Sequence, residues 1–223
     1  MLVCVAIASR CSGQTASAIT IPSDAWKKAP VKSLVYPVSG DPHKLDPVVE
    51  RELKGCFEFF WNEAVMDPTL PTYGMVNGNG VGTNALHPIS IEGQGFHFAM
   101  IVIGVDRGWI SFDQGYKRAV SAMKSIKGLK NFRGHHYHFI DRKTGLRGWN
   151  DAKGVEVTNA GTATMVAGAL VAGEYFGGDV KKLAGELYHR IDWKWFSDPK
   201  AKHFYLACFP VDVPKGTKVN AEG

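Results

Sequence analysis

Two kinds of hydrophobic pattern alternate along this chain. Residues 162–176 are small or apolar almost all the way round a helix, which is typical of a helix with neighbours on several faces. The pair Gly177-Gly178 ends this segment, and Asp179 is a candidate cap for the next one. That next segment carries a single apolar stripe at helical spacing, made of Val180, Leu183, Ala184, Leu187 and Ile191. The pattern predicts a hairpin of one buried and one half-buried helix.

The same alternation occurs upstream. A helix is predicted to begin at Asp46, a candidate N-cap, followed by Pro47, which suits the first helical position. Residues 90–105 are apolar on most sides and predict a second buried helix. The helix after it begins at a capping box of Ser111 and Gln114 and carries one apolar stripe.

Buried helices that alternate with half-buried ones are what the inner and outer rings of an α/α toroid require. We therefore predict an all-α fold, the N-terminal portion of an α/α toroid built from helical hairpins. A ring of about six hairpins, at about 30 to 40 residues each, needs roughly twice the 223 residues present. The toroid is expected to be incomplete.

The charge of the chain does not indicate a nucleic-acid partner. The net charge is +5 and the pI is near 9.0, but Lys and Arg are spread along the chain and never form a run longer than two. No basic stripe or nucleic-acid-binding module accompanies the charge. The chain also lacks a Gly-x-Ser-x-Gly elbow and a dinucleotide fingerprint. We expect no nucleic-acid partner and no cofactor.

The N-terminus predicts export. Residues 2–8 are apolar, and Ala16-Ser17-Ala18 fits a small-residue cleavage site, so a signal peptide is predicted over 1–18, with a frayed tail as the alternative. Prolines punctuate residues 19–45 and predict a linker, and the domain is predicted to span 46–223. No stretch reaches the ~18 apolar residues that a membrane span needs. The expected location is periplasmic or secreted.

Two cysteines lie outside the predicted signal. Cys56 and Cys208 are far apart and lack metal-ligand spacing. They form a disulfide only if the fold brings them together, and two buried free thiols are the preferred interpretation.

Several short blocks follow one another in a characteristic order between about Leu53 and Phe209. They are Phe59-Phe60-Trp61, Ser90-Ile91 with Gly95-Phe96, Gly104-Val105-Asp106-Arg107-Gly108-Trp109-Ile110, Tyr137-His138-Phe139, Gly168-Ala169-Leu170 with Tyr175-Phe176, and Asp192-Trp193-Lys194-Trp195. Together they resemble the glycoamylase-like domain family, which includes bacterial endo-β-1,2-glucanases and a domain of cyclic β-1,2-glucan synthases. The resemblance implies an α/α toroid whose central groove binds a glucan and cleaves a glycosidic bond.

The chain departs from that family in two places. The family usually reads Ser-x-x-Asp-Thr-Ala at the start of the buried helix, whereas Thr158-Asn159-Ala160-Gly161-Thr162-Ala163 stands here, with Gly161 at the acidic position. A second family signature, Tyr-Asn-Glu, is expected beyond Gly223. Both departures concern carboxyl groups.

Hydrolysis of a glycoside ordinarily needs two carboxyl groups, one to protonate the leaving oxygen and one to activate water or attack carbon. Asp151 and Glu156 are candidate catalytic substitutes, because both precede the helix-start motif closely. The alternative interpretation, which we favour from sequence, is that they are a loop charge and a capping residue.

Aromatic and imidazole side chains suit a sugar groove, because a pyranose ring offers an apolar face and a rim of hydroxyls. The candidates for substrate binding are Trp61, Tyr137, His138 and Trp149. Packing between hairpins is an equal alternative for Trp61. The cluster that begins at His135 could suggest a metal, but no carboxylate or Cys at ligand spacing completes a site, and no metal is expected.

Three hypotheses about function remain open. The first is the N-terminal portion of an exported, endo-acting hydrolase of β-1,2-glucan or a related glucan, whose catalytic glutamate is expected beyond Gly223. The second is a carbohydrate-binding relative without catalysis, which Gly161 favours. The third is a structural or interaction helical protein. The open edge of an incomplete toroid also makes a homodimer an expected possibility.

Overall fold

The computed structural model describes residues 45–78, 88–148 and 155–209. The predicted signal peptide (1–18) and nearly all of the predicted linker lie outside the described residues, as do Trp149 and Asp151. The account below concerns the described residues alone.

Helices dominate the described part of the chain. There are five of them, and they span α1 Pro47–Asn62, α2 Ile91–Asp106, α3 Phe112–Gly128, α4 Asn159–Phe176 and α5 Gly178–His189. All five lie where the hydrophobic pattern predicts a helix.

Side-chain caps fix where most of these helices begin. The Asp46 carboxylate accepts a hydrogen bond from the Val48 backbone N–H at 2.8 Å, and both bonds of the predicted capping box between Ser111 and Gln114 are present. The prediction that Asp179 caps α5 is wrong. Gly177 is the N-cap of α5, because its positive φ of 67° lets the chain reverse directly after α4.

Helices α2 and α4 form the inner layer and pack side by side. Each is buried on several faces, whereas α1, α3 and α5 bury a single stripe and pack around them. Gly95 and Gly168 lie where the inner helices cross, and a Cβ added at either one would overlap the backbone of the other helix. Because these glycines carry no side chain, the two helix backbones can approach closely. The buried and half-buried helices therefore play the roles that their patterns predict.

One face of the inner layer is uncovered. Val171 on α4 is 53% exposed, and Tyr175 one turn later is also exposed, although α4 is apolar nearly all the way round. This face matches the open edge expected of an incomplete toroid.

Short strands join the helices, and the sequence analysis did not predict them. They span β1 Ile89–Ser90, β2 His136–Tyr137, β3 Phe139–Ile140, β4 Val157–Thr158, β5 Ser197–Asp198, β6 His203–Phe204 and β7 Ala207–Cys208. Strand β1 pairs with β3, β5 pairs with β6, and β4 lies between β2 and β7 in an antiparallel sheet. With two residues each, such strands leave no alternating pattern to detect.

Both cysteines of the described region are free, as preferred from sequence. The expectation that both are buried is wrong for Cys56, which is exposed on the outer helix α1, whereas Cys208 is half-buried. Among the described residues, no helix has both the length and the apolar character to cross a membrane.

Candidate functional site

The N-terminal ends of the two inner helices meet under the short strands. Strand β1 leads directly into α2, and β4 leads directly into α4. The side chains of Ser90 and Thr158 cap these helices by accepting hydrogen bonds from Gly93 and Gly161. Helix N-termini carry a partial positive charge, which favours a negatively charged group nearby, such as a carboxylate. The strands thus bring residues from distant parts of the chain to this end of the inner layer.

Two predicted site residues, His138 and Glu156, lie side by side here. The imidazole Nδ1 of His138 is 2.6 Å from Oε1 of Glu156, and the His138 backbone N–H donates to the Glu156 carbonyl at 2.8 Å. The His138 carbonyl accepts from the Ile91 N–H at 3.0 Å, at the first residue of α2. The pair is therefore hydrogen-bonded to the start of α2, and Glu156 directly precedes β4, which leads into α4.

The His138–Glu156 pair is within reach of solvent. The His138 side chain is 28% exposed and the Glu156 side chain is 23% exposed. The His138 ring stacks on Phe139 at 4.1 Å between centroids, with 17° between the ring planes, which fixes its orientation. A carboxyl group held by an imidazole can bind a hydroxyl and can exchange a proton with its partner.

Thr158, not Glu156, caps helix α4, since the Thr158 hydroxyl accepts the Gly161 N–H at 3.1 Å. Glu156 therefore does not cap α4, and the capping interpretation of this residue is wrong. Its catalytic role stays a prediction, as does that of Asp151, which lies outside the described residues.

The acidic position of the family motif is closed in this chain. A Cβ at Gly161 would lie 2.7 Å from Cγ2 of Thr158 and 3.1 Å from Cγ2 of Ile91. Gly161 is buried in the first turn of α4, so the space that a longer side chain would need is occupied. The side chains of Thr158 and Ile91 therefore pack closely against Gly161.

Tyr137 packs inside the fold. It is 4% exposed, its ring meets Phe132 edge-on at 5.1 Å, and the Arg147 guanidinium lies 5.2 Å from its ring centroid. Packing accounts for this side chain, and a contact with sugar stays a prediction.

Trp61 lies at the end of α1 and contacts the outer helix α3. The Arg118 guanidinium stands 4.1 Å above the Trp61 ring and donates to the Trp61 carbonyl at 3.0 Å, while Phe57 stacks at 5.9 Å. The ring borders a shallow cavity of about 220 Å³ that Tyr73 and Lys117 also line. These contacts fit the packing alternative, and a sugar-binding role for Trp61 stays a prediction.

The remaining histidines of the cluster are buried and point to different partners. The imidazole Nε2 of His135 donates to the Asp192 carbonyl, 3.2 Å away, and the His135 ring lies 4.3 Å from that of Phe196. His136 bonds to the guanidinium of Arg190. Burial, followed by the charge of Arg190, lowers the pKa of His136 to about 3. No group of three metal-ligating side chains occurs among the described residues.

Residues 141–145 form a turn between β3 and the Arg147 segment that pairs with Ile140. The Asp141 carboxylate accepts hydrogen bonds from Lys143 and Thr144, and Gly145 has a φ of +67°. Burial alone would raise the pKa of Asp141, but these hydrogen bonds outweigh it and lower the pKa. The Asp141 carboxylate therefore stabilises the turn to which Asp141 itself belongs.

Comparison with known proteins identifies similar folds. No model of a known protein family matches the chain. It is 28% identical over 180 residues to the exo-β-1,2-glucooligosaccharide sophorohydrolase (non-reducing end) of Parabacteroides distasonis, covering 76% of this chain and 23% of that protein. The crystal structure of a β-1,2-glucanase from Parabacteroides distasonis superposes with a TM-score of 0.59 at 23% identity, covering 74% of this chain and 24% of that one.

A glucoamylase-like protein from Bacteroides uniformis gives a TM-score of 0.58 at 22% identity, covering 73% of this chain and 40% of that one. The resemblance to the glycoamylase-like family is confirmed. The five helices form part of an α/α toroid, as predicted from their alternating pattern. The chain spans about a quarter of the length of the curated relative that it matches.

Proposed function

We propose that this chain belongs to a glycoside hydrolase that acts on β-1,2-linked glucan, and that it contributes the glucan-binding surface at the N-terminal ends of α2 and α4. The observation that carries the proposal is the His138–Glu156 pair, held at 2.6 Å between the starts of both inner helices. The sophorohydrolase similarity supports β-1,2-glucan as the substrate class.

In this proposal, Glu156 is one of the two carboxyl groups that glycoside hydrolysis ordinarily needs. The His138 imidazole holds the Glu156 carboxyl in place and can exchange a proton with it. Asp151 is the proposed second carboxyl group, on the basis of its position five residues before Glu156 in the sequence.

The test measures reducing-sugar release from linear β-1,2-glucan and, by calorimetry, the binding of short β-1,2-linked gluco-oligosaccharides. The whole chain is compared with Glu156→Gln and with a matched control, Glu174→Gln. Glu174 is an exposed carboxylate on the same helix as the site, about 20 Å from its start.

Hydrolysis by the unmodified chain that falls ~10²- to 10⁴-fold in Glu156→Gln, but not in the control, supports the proposal. Hydrolysis that survives Glu156→Gln excludes Glu156 as a catalytic group. A chain that neither binds nor cleaves the glucan contradicts the function itself.

A second candidate function is glucan binding without catalysis. The closed position at Gly161 favours it, because Thr158 and Ile91 occupy the space next to the residue where the family carries its acid. Binding of the oligosaccharides without any release of reducing sugar identifies this function.

We also propose export and self-association. Export is supported by the apolar residues 2–8 and the small residues Ala16-Ser17-Ala18. A homodimer through the open edge of the helical array is supported by the exposed face of α4 at Val171 and Tyr175. Detection of the processed protein outside the cytoplasm, and its mass by sedimentation, test these two points.

A further inference from the structure

A group of large apolar side chains is exposed in and around the last two described strands, β6 and β7. Phe204 and Phe209 are each 59% exposed, and Leu206 is more exposed still. Three such side chains within six residues form the kind of apolar surface that marks a binding site more often than a scattered exposed residue does.

The segment that carries them is fixed in place by hydrogen bonds. The Asn159 backbone N–H donates to the Leu206 carbonyl at 3.1 Å, and the Asn159 side chain donates to the Tyr205 carbonyl at 3.3 Å. Strand β7 then pairs with β4. Residues 205–208 are therefore held against the start of α4, and Phe209 follows directly after them.

The sheet register determines which of these side chains faces the site. Val157 stands between Tyr137 on one side and Cys208 on the other. Extending this register by one residue beyond each strand places Glu156 between His138 and Phe209, and the bond from the His138 N–H to the Glu156 carbonyl continues the pairing on the His138 side.

Side chains alternate between the faces of a sheet, so residues at one register position share a face. His138, Glu156 and Phe209 form such a row, and neighbours across strands have Cβ atoms roughly 5 Å apart. The row thus combines an imidazole, a carboxyl group and an exposed aromatic ring on one surface.

We propose that Phe209 is a sugar-binding residue that stacks against a pyranose ring of the glucan, with Glu156 and His138 bonding the hydroxyl rim of the same sugar. This inference rests on the proposed function and assigns it a residue that the sequence analysis did not single out. The aromatic ring matches the apolar C–H face of the sugar, and the polar pair matches its hydroxyls.

The other exposed side chains of the segment do not share this position. Phe204 belongs to β6 and pairs with Ser197 of β5, outside the three-stranded sheet. Leu206 is three residues from Phe209, so the alternation of the strand directs it to the opposite face. Phe204 therefore provides a matched control with the same exposure and residue type.

The test compares Phe209→Ala, Phe209→Trp and the control Phe204→Ala in the whole chain. Calorimetry with a short linear β-1,2-linked gluco-oligosaccharide measures the dissociation constant, and sedimentation measures the mass. Since Phe209 is exposed, its replacement is expected to leave the unfolding temperature unchanged. Phe209→Ala is expected to weaken binding about tenfold, whereas Phe209→Trp and Phe204→Ala stay within about twofold of the unmodified chain.

Equal affinity of Phe209→Ala and the unmodified chain overturns the inference while the proposed function stands. Equal affinity combined with a lower mass in Phe209→Ala also overturns it, and assigns the ring to contact with a second copy. If the unmodified chain binds no oligosaccharide, both the proposed function and this inference fail.

Discussion

The His138 ring and the Glu156 carboxyl are joined at 2.6 Å, and the backbones of the same two residues are joined at 2.8 Å. Two hydrogen bonds between the same pair fix the position of the side chains more firmly than one bond does. The Ile91 N–H also donates to the His138 carbonyl, so this geometry is tied to the start of α2.

Replacing His138 by alanine is expected to weaken glucan binding about tenfold, because Glu156 loses the partner that orients it and the sugar loses one polar contact. The control is His189→Ala, at an exposed histidine at the end of α5. Calorimetry measures both dissociation constants, and circular dichroism compares the unfolding temperatures. Equal affinity of the two variants would show that His138 does not position Glu156 for binding.

The crossing of the inner helices predicts opposite effects for two glycine substitutions. Gly168→Ala is expected to lower the free energy of unfolding by more than about 2 kcal/mol, because its Cβ would overlap the Gly95 backbone. Gly185→Ala is expected to raise it by about 0.5 to 1 kcal/mol, since a Cβ there meets nothing within 4 Å and alanine favours a helix. Urea denaturation measures the free energy of unfolding of both variants. An unchanged free energy of unfolding in Gly168→Ala would contradict the close approach of α2 and α4.

The packing around Gly161 predicts that one substitution restores part of the stability that another one removes. Gly161→Ala is expected to destabilise the fold by about 1 to 3 kcal/mol, because its Cβ would lie 2.7 Å from the Thr158 methyl group. Thr158→Ser removes that methyl group and keeps the capping hydroxyl, so the double variant should lose less stability than the sum of the single variants. Strict additivity in a double-mutant cycle would count against this packing. Gly161→Asp alone should likewise destabilise the chain.

Two buried histidines predict a loss of stability in acid. Burial, together with the nearby charges of Arg118 and Arg190, lowers the pKa values of His97 and His136 from 6.5 to about 3. Because the unfolded chain takes up these protons more readily, neither histidine lowers the free energy of unfolding above about pH 6.5. The free energy of unfolding then decreases as the pH falls from 6.5 towards 3.

At pH 5 the loss should be about 2 kcal/mol for each histidine. Urea denaturation at pH 7.5 and pH 5 measures it. The difference in stability between His97→Gln and the unmodified chain should shrink at the lower pH. The exposed control His203→Gln should keep the full pH dependence. An unchanged difference for His97→Gln would contradict a depressed pKa at that residue.

The helices could be predicted from sequence because each carries a long pattern or a clear cap. The stripe from Val180 to Ile191 and the capping box at Ser111 are local features, and local features survive folding. The sequence suggests the wrong cap for α5. Asp179 has a side chain that commonly caps helices, whereas the positive φ of Gly177 decides where α5 begins.

The candidate site was only partly predictable because it depends on pairing between distant strands. His138 and Glu156 could be singled out by residue type and by nearby motifs, but their contact joins β-paired segments 18 residues apart. No sequence motif marks Phe209, because its proposed place beside Glu156 follows only from extending the register of β4 and β7 by one residue. Tyr137 has suitable chemistry for a sugar contact, yet its side chain is buried by Phe132 and its neighbours.

Hydrogen–deuterium exchange with and without linear β-1,2-linked gluco-oligosaccharide tests the central claim most directly. Glucan at the N-terminal ends of the inner helices should slow exchange in peptides covering residues 136–141 and 155–160, where the amides of β2 and β4 pair. Exchange in α5 should be unchanged. Protection confined to α5 or to the α3 surface near Trp61, in a chain that binds the oligosaccharide, would place the glucan elsewhere and contradict the account.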